Sequence, residues 1–250
     1  MSDTRDSVHQ TWPRQTWPQI RGVLLDKDGT LLDYARTWVP INRQVALAAA
    51  RGDKALADQL LLAGGHDPAT DAVRPGSPLA AGTNFEIAAC FFKVLGERTP
   101  PNLLATVNDI FAEGGGRHAV LLPGAAEAIA SLKALGLKVG VATNDSEGGM
   151  RASLARTQLI NAFDFLAAAD SGHGGKPGPG MALAFARATG LPPQTLASVG
   201  DAAHDLEMAA SAGYGLRVAV LSGTGTRADL APHADVVLGS IAELAVLFRR

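Results

Sequence analysis

Six short apolar runs constrain this chain more than any other feature of it. They are IRGVLLD (Ile20 to Asp26), LKVGVATN (Leu137 to Asn144), FDFLAAAD (Phe163 to Asp170), LASVGD (Leu196 to Asp201), LRVAVLSG (Leu216 to Gly223) and ADVVLG (Ala234 to Gly239). Near-continuous apolar text of this length suits strands buried on both faces. Helix-like text lies between the later runs: GAAEAIASLKALG, MALAFARATG, AHDLEMAASAG and SIAELAVLF. The first of these follows Pro123 and stops at Gly136, as helices commonly do. Strand, helix, strand repeated in this way predicts an α/β fold, a doubly wound, Rossmann-like parallel sheet.

The alternation breaks between the first and second runs. From Tyr34 to Leu122 the text reads as two pairs of helices: NRQVALAAA with DKALADQLLLAGG, then NFEIAACFFKVLG with PNLLATVNDIFAEGGG. Turn-rich punctuation, HDPATDAVRPGSPLAAGTN, separates the pairs. The expected organisation is a tail over residues 1–19, a core over 20–33 and 123–250, and a helical insertion over 34–122. A further strand hidden in the insertion is the other reading of that block. A chain of 250 residues accommodates one large domain with such an insertion.

Composition narrows the function classes. Hydrophobic residues make up 47% of the chain and charged residues 18%, enough apolar material for a core and too much for global disorder. The formal net charge of -2 offers no basic footprint for nucleic acid. No run approaches the roughly 18 apolar residues of a membrane span. The opening MSDTRDSVHQ has mixed charges and does not read as a signal peptide. The single cysteine, Cys90, cannot form an internal disulfide and reads as a small core residue; a reducing cytoplasm is the expected compartment. QTWP occurs twice before the first run, too few copies for a solenoid. It reads as a tail, with packing of Trp12 or Trp17 on the domain or a partner as the other reading. No periodic seam demands an oligomer.

Ligands of open α/β sheets bind beyond the carboxyl ends of the strands, so the residues closing each run matter most. The first run closes with Asp26-Lys27-Asp28-Gly29-Thr30 and the second with Thr143-Asn144-Asp145. A glycine-rich loop, SGHGGKPGP, follows the third and holds Lys176. The fourth closes with Gly200-Asp201, and Asp205 stands four residues on. Together these ends supply carboxylates, a hydroxyl and one ammonium, a set able to hold a divalent metal and a phosphoryl group.

DKDG also resembles part of a calcium loop, but neither register works. Starting at Asp26 places Leu31 at the glycine position, and placing Gly29 there puts Leu24 first and Ala35 last. Phosphoryl chemistry fits better. A strand end can aim Asp26 as an ionised nucleophile. Asp28, two residues on, can protonate a leaving oxygen and later take a proton from water. Gly29 and Thr30 let backbone N–H groups turn toward phosphate. Lys27 is expected to point away from the site, as a structural or surface lysine. Thr143 and the Asn144 amide can bind phosphoryl oxygens, and Lys176 can neutralise charge. Asp201 can hold Mg²⁺, with Asp205 behind it.

The ordered set DKDGT, ATND, GGKPGP and GDAAHD resembles the four motifs of the haloacid dehalogenase superfamily, from Asp26 to Asp205. The helical insertion resembles that superfamily's C1-type cap. The resemblance implies phosphoryl transfer through an aspartyl-phosphate with Mg²⁺. It makes Asp26 nucleophile and metal ligand, and Asp28 general acid/base with its backbone carbonyl on the metal. Thr143 and Lys176 would bind phosphoryl, Asp201 metal, and Asp205 would support it. An aspartate at Asp28 favours phosphatases and phosphomutases over dehalogenases and phosphonatases. VGDAAHDLEMAASAG and the C-terminal text are most similar to the phosphoglycolate phosphatase group. Gly180 departs from the pattern, which often has a helix-capping acid there.

The expected activity is hydrolysis of a small phosphorylated metabolite, with phosphoglycolate as one candidate. The alternatives are a phosphomutase of the β-phosphoglucomutase type and a phosphate-binding module without catalysis. Arg74, Asn84 and Arg117, in or beside the insertion's loops, read as solvated more readily than as substrate ligands. His173 reads as loop surface, His204 as a helix-start residue, and Asp33 and Asp145 as structural or solvated.

Overall fold

A computed structural model of the chain describes residues 19–248. The QTWP repeat, with Trp12 and Trp17, lies outside the described residues. All six apolar runs form strands: β1 (Gly22–Leu25), β2 (Lys138–Ala142), β3 (Phe165–Ala167), β4 (Leu196–Gly200), β5 (Leu216–Val220) and β6 (Val236–Leu238). They pair in parallel in the order β3-β2-β1-β4-β5-β6. Chain order reverses at β1, whose neighbours are β2 on one side and β4 on the other. A crevice opens at such a switch point, beyond the carboxyl ends of the strands.

Between β1 and β2 the chain forms α1 (Tyr34–Ala49), α2 (Lys54–Gly64), a short α3 (Pro78–Ala81), α4 (Asn84–Leu95) and α5 (Leu103–His118). Among the described residues of this segment no strand forms; an isolated bridge pairs His66 with Val73. These helices have an apolar core of their own, including Trp38, Val45, Leu60, Ile87, Phe91 and Val107. The segment's entry and exit are tied together. The amide of Asp33 donates to the carbonyl of Val120 at 2.8 Å, and that of Leu122 to Leu31 at 2.9 Å. α1 starts well before the expected Asn42 because the Asp33 side chain caps it, accepting from Arg36 N–H at 3.0 Å. Pro40 lies inside this helix, where an isolated sequence argues for a break.

The remaining helices are α6 (Ala125–Ala134), α7 (Glu147–Arg156), α8 (Gly180–Thr189), α9 (Ala203–Ser211), α10 (Arg227–Leu230) and α11 (Leu244–Phe248). Strand residues alternate between the two faces of the sheet. Val23 and Leu25 pack with Ile129 of α6, Leu154 of α7 and Leu247 of α11. Leu24 packs the other way, with Phe185 of α8 and Met208 of α9. α7 was hidden in the sequence by Gly148 and Gly149, which weaken a helical pattern. Ser146 rescues it by accepting from Gly149 N–H at 3.1 Å. α5 packs on α7 and seats the inserted helices on the core.

Cys90 is half-buried rather than part of the core. Its helix α4 has one exposed side, which also carries Phe85 and Phe92. Among the described residues no helix is long and apolar enough to cross a membrane.

Candidate active site

The four strand ends converge as the sheet order requires. Asp26 continues the ladder past β1, its amide donating to Val199 of β4 at 2.8 Å, so its carboxylate projects from a fixed backbone. The Lys176 ammonium bridges Asp26 Oδ1 at 2.6 Å and Asp205 Oδ1 at 2.5 Å. Asp205 stands in the first turn of α9 and its other oxygen accepts from Ala202 N–H at 3.1 Å. Asp201, just past β4, accepts from Thr224 N–H at 2.8 Å. One oxygen from each of Asp26, Asp201 and Asp205 lies within 4.8 Å of the others, and all three residues are buried.

Such crowding has electrostatic consequences. Burial, reinforced by Asp205 and Asp28, pushes the Asp26 carboxyl up to about 7 even though Lys176 opposes it. Asp201 is raised well above the ordinary range by burial and by Asp26 and Asp205. Burial alone would depress the Lys176 ammonium, but Asp205 and Asp26 outweigh it and hold it above the ordinary lysine range. Negative charge therefore exceeds what one lysine can balance. A small divalent cation taking oxygen donors fits this set, as Mg²⁺ does with one or two carboxylates and retained waters.

Gly29 makes the close approach possible. Its φ is +85°, and a Cβ there would fall 2.6 Å from Asp201 Oδ2. Gly180, the departure from the expected helix cap, has a similar explanation. A Cβ at that position would meet the carbonyl oxygen of His173 at 1.9 Å, so an acid has no room.

Thr143 is buried, and its hydroxyl accepts from Asp145 N–H at 3.1 Å. The Asn144 side chain is occupied structurally. Its Oδ1 accepts from Lys176 N–H at 2.8 Å, and its Nδ2 donates to Ala81 of the insertion at 2.9 Å. It thus pins the lysine loop and the α3 segment together. Thr30 is fully buried, with a hydroxyl that finds no protein partner.

Lys27, read as a structural or surface lysine pointing away from the site, is not at the surface and reaches toward Asp28. It is 0% exposed, and its ammonium lies 2.8 Å from Asp28 Oδ1 and 2.7 Å from Oδ2. It is also 3.1 Å from Asp145 Oδ2 and 4.9 Å from the centre of the Trp38 ring. Strand alternation predicts that a residue between two site-facing acids points away. That rule fails here because the strand ends at Leu25 and residues 27–32 form a turn, with Leu31 and Leu32 both donating to the Lys27 carbonyl at 2.9 Å. Asp145, read as structural or solvated, is buried and serves this lysine. Burial raises its carboxyl although Lys27 opposes the rise. Trp38 of α1 completes the group, its Nε1 donating to Asp28 Oδ1 at 2.5 Å. A lysine set directly between two acids at the end of an apolar run was the sequence signal that could have drawn attention to this cluster.

A cavity of about 50 Å³ opens over Asp26, Asp28, Thr143 and Asp201. The insertion walls it with Tyr34, Trp38, Leu79, Asn84, Ile87 and Phe111. Asn84 is buried here, donating to Asn108 at 2.9 Å, and is not solvated as expected. Arg74 is exposed, and Arg117 is exposed and paired with Glu113; neither lines the cavity. His173 is exposed on its loop as expected. His204, in the first turn of α9, lines the cavity as well. Burial holds its imidazole below the ordinary histidine range. Among the described residues lining this cavity there is no lysine or arginine.

Several known proteins are similar to this chain. Protein CbbY of Rhodobacter capsulatus is 36% identical over 46% of this chain and 51% of its own length. A phosphoglycolate phosphatase of Chromobacterium violaceum is 31% identical over 53% of this chain and 58% of its own. The chain thus spans about half the length of these curated relatives. The crystal structure of CbbY from Rhodobacter sphaeroides in complex with phosphate superposes with a TM-score of 0.67 at 24% identity, covering 90% of this chain and 96% of that one. A family model described as haloacid dehalogenase-like hydrolase matches residues 20–213. With its strand-end carboxylates, bridging lysine and parallel sheet, the chain belongs to the haloacid dehalogenase-like hydrolases.

Proposed function

We propose that the chain is a Mg²⁺-dependent phosphatase that hydrolyses a small phosphomonoester through an aspartyl-phosphate, with residues 34–122 as a cap. The observation that carries this reading is the Lys176 ammonium bridging Asp26 and Asp205 beside Asp201, all at the carboxyl edge of the sheet. Asp26, Asp201 and the backbone carbonyl of Asp28 would hold the metal, and Asp205 would support them through Lys176 and the Ala202 amide. When bound, the metal would supply charge neutralisation to the nucleophile and the phosphoryl oxygens.

The steps follow from the residues. An Asp26 oxygen attacks phosphorus as the bond to the leaving oxygen breaks, and Asp28 gives that oxygen its proton. Water then attacks the aspartyl-phosphate, its proton passes to Asp28, and phosphate leaves with Asp26 restored as a carboxylate. Lys176 stays paired with Asp26 and meets the charge that develops on the transferring group. Thr143 offers its hydroxyl to a phosphoryl oxygen. Asn144 acts by holding the Lys176 loop, its side chain being committed there.

The cavity wall favours the phosphatase over the phosphomutase. A bisphosphate intermediate presents a second phosphate, and the described lining offers it no lysine or arginine. An uncharged leaving group suits the wall of Tyr34, Leu79, Ile87 and Phe111. Phosphoglycolate, for which the Chromobacterium violaceum relative is named, is the first ester to assay against neutral competitors such as glycerol phosphate. The test is a panel of phosphate esters incubated with and without Mg²⁺, with phosphate release and phosphorus NMR as readouts. Metal-dependent release of free phosphate is expected. Isomerisation without release would support the mutase, and no turnover on any ester would support a binding module.

A further inference from the structure

We propose that Lys27 is a positioning residue for Asp28, acting jointly with Trp38 of the inserted helices. The proposal rests on the phosphatase reading and adds a residue to it. Lys27 is among the largest fully buried side chains of the described residues, and the only charged one of them. An ammonium taken out of water is costly unless good partners surround it. Here the partners are the two Asp28 oxygens, at 2.8 and 2.7 Å, and Asp145 Oδ2 at 3.1 Å. Asp145 is itself fixed, accepting from Ser146 N–H at 2.7 Å at the start of α7.

Asp28 is therefore gripped from two directions. The core grips it through Lys27, whose own backbone is pinned in the turn by Leu31 and Leu32. The insertion grips it through the Trp38 indole N–H, at 2.5 Å. Trp38 is held in turn by its neighbour Phe111, with ring centroids 5.1 Å apart. A carboxylate that must give a proton to one oxygen and take it back from another gains from a fixed direction. Small displacements of such a group cost large factors in rate. The Asp28 side chain keeps 17% of its surface open, toward the cavity that it lines. The grip thus fixes the group without sealing it. Because one of the two donors comes from the insertion, the grip is complete only when those helices are seated on the core.

A double-mutant cycle tests this, using the full chain, Mg²⁺ and para-nitrophenyl phosphate. Lys27→Met should lower kcat by roughly tenfold to hundredfold, with KM changed by less than about twofold. Asp28→Asn should lower kcat by roughly a hundredfold or more. In the Asp28→Asn background, Lys27→Met should have no further effect on kcat, because Lys27 acts through the group already removed. A merely structural lysine would instead give losses that multiply, and that result overturns the proposal. So does a Lys27→Met variant that keeps full kcat.

Lys27→Met leaves buried Asp145 and half-buried Asp28 short of a partner, and its fold is checked by circular dichroism. Should it not fold, Trp38→Phe replaces it in the same cycle, removing one donor to Asp28 while keeping an aromatic ring. A several-fold kcat loss that vanishes beside Asp28→Asn is expected, and multiplying losses again overturn the proposal. A wild-type chain inactive on the whole ester panel would overturn the phosphatase reading and this proposal with it. An active wild type with multiplying losses overturns the role of Lys27 alone.

Discussion

Two buried lysines near the end of β1 invite comparison, since each sits between two aspartates. Lys176 joins Asp26 to Asp205, and Lys27 joins Asp28 to Asp145. In both, burial would depress the ammonium and the carboxylates more than restore it. The difference is in what each cluster is built from. The Lys176 set comes wholly from the sheet's carboxyl edge and the loops beside it, so the core alone completes it. The Lys27 set takes its last member, Trp38, from the inserted helices. The nucleophile's surroundings are thus built into the core, while those of the proton-transfer group depend on how the insertion docks.

The strongest way to break this division is at the nucleophile. Asp26→Asn should lower phosphate release by about ten-thousandfold or more with the fold retained, as judged by circular dichroism. Turnover near the wild-type rate would remove Asp26 from its role and leave the comparison without a basis. Lys176→Met should come next, with kcat falling roughly a hundredfold to a thousandfold. Removing that ammonium also leaves Asp26 and Asp205 facing each other in a buried site, at a cost of about 3–5 kcal/mol seen in denaturant unfolding. If Lys176→Met weakens turnover less than Lys27→Met, the ranking of the two clusters is reversed.

The two clusters also differ in how far the sequence revealed them. The six strands could be read from apolar runs because a parallel sheet buried on both faces leaves little choice of residue. The Lys176 cluster was readable for a related reason: its acids close a strand or open the helix after it and its lysine lies in the loop after β3, so fold and site follow from one pattern. Lys27 escaped because the alternation rule was carried two residues past the strand's end. Trp38 escaped because nothing local links it to Asp28; only the packing of α1 does. The same holds for Asn84, whose side-chain partner is Asn108 in α5. α7 escaped because its adjacent glycines mask a helix that a serine cap and tertiary packing restore. Residues placed by the sheet were legible, and residues placed by helix-on-helix docking were not.

Metal binding should draw on the carboxylates of the Lys176 side and on no side chain of the Lys27 cluster, which would contribute only the Asp28 backbone carbonyl. At about a hundredfold excess of Mg²⁺ over its Kd, the folded state should gain roughly 2.7 kcal/mol, read as a rise in Tm. The gain should grow as pH rises through the value near 7 to which burial pushes Asp26, since binding needs the ionised carboxylate. Asp201→Asn should abolish most of the gain. Lys27→Met should preserve it, and loss of the Mg²⁺ response in that variant would show that the clusters are not separate.

The smallest effect is expected at the reverse arrangement, a carboxylate shared by two lysines, which serves as a surface reference. Asp164 lies at the opposite end of the sheet, accepting from Val139 N–H at 2.9 Å and from Lys133 at 3.1 Å, with Lys138 at 3.5 Å. Burial alone would raise this carboxyl, but the Val139 amide and the two ammoniums hold it below its ordinary value of 3.8. Its partners are largely exposed, at 41% and 53%, so solvent screens the pairs. A depressed carboxyl stabilises the fold above its unfolded value and loses that contribution as pH falls through the folded one. Asp164→Asn should therefore cost about 1 kcal/mol or less near neutral pH and nothing in strong acid, with kcat unchanged. Urea unfolding across that range would measure it. A cost as large as that of Lys176→Met would mean that burial is not what separates the active-site clusters from an ordinary surface ion pair.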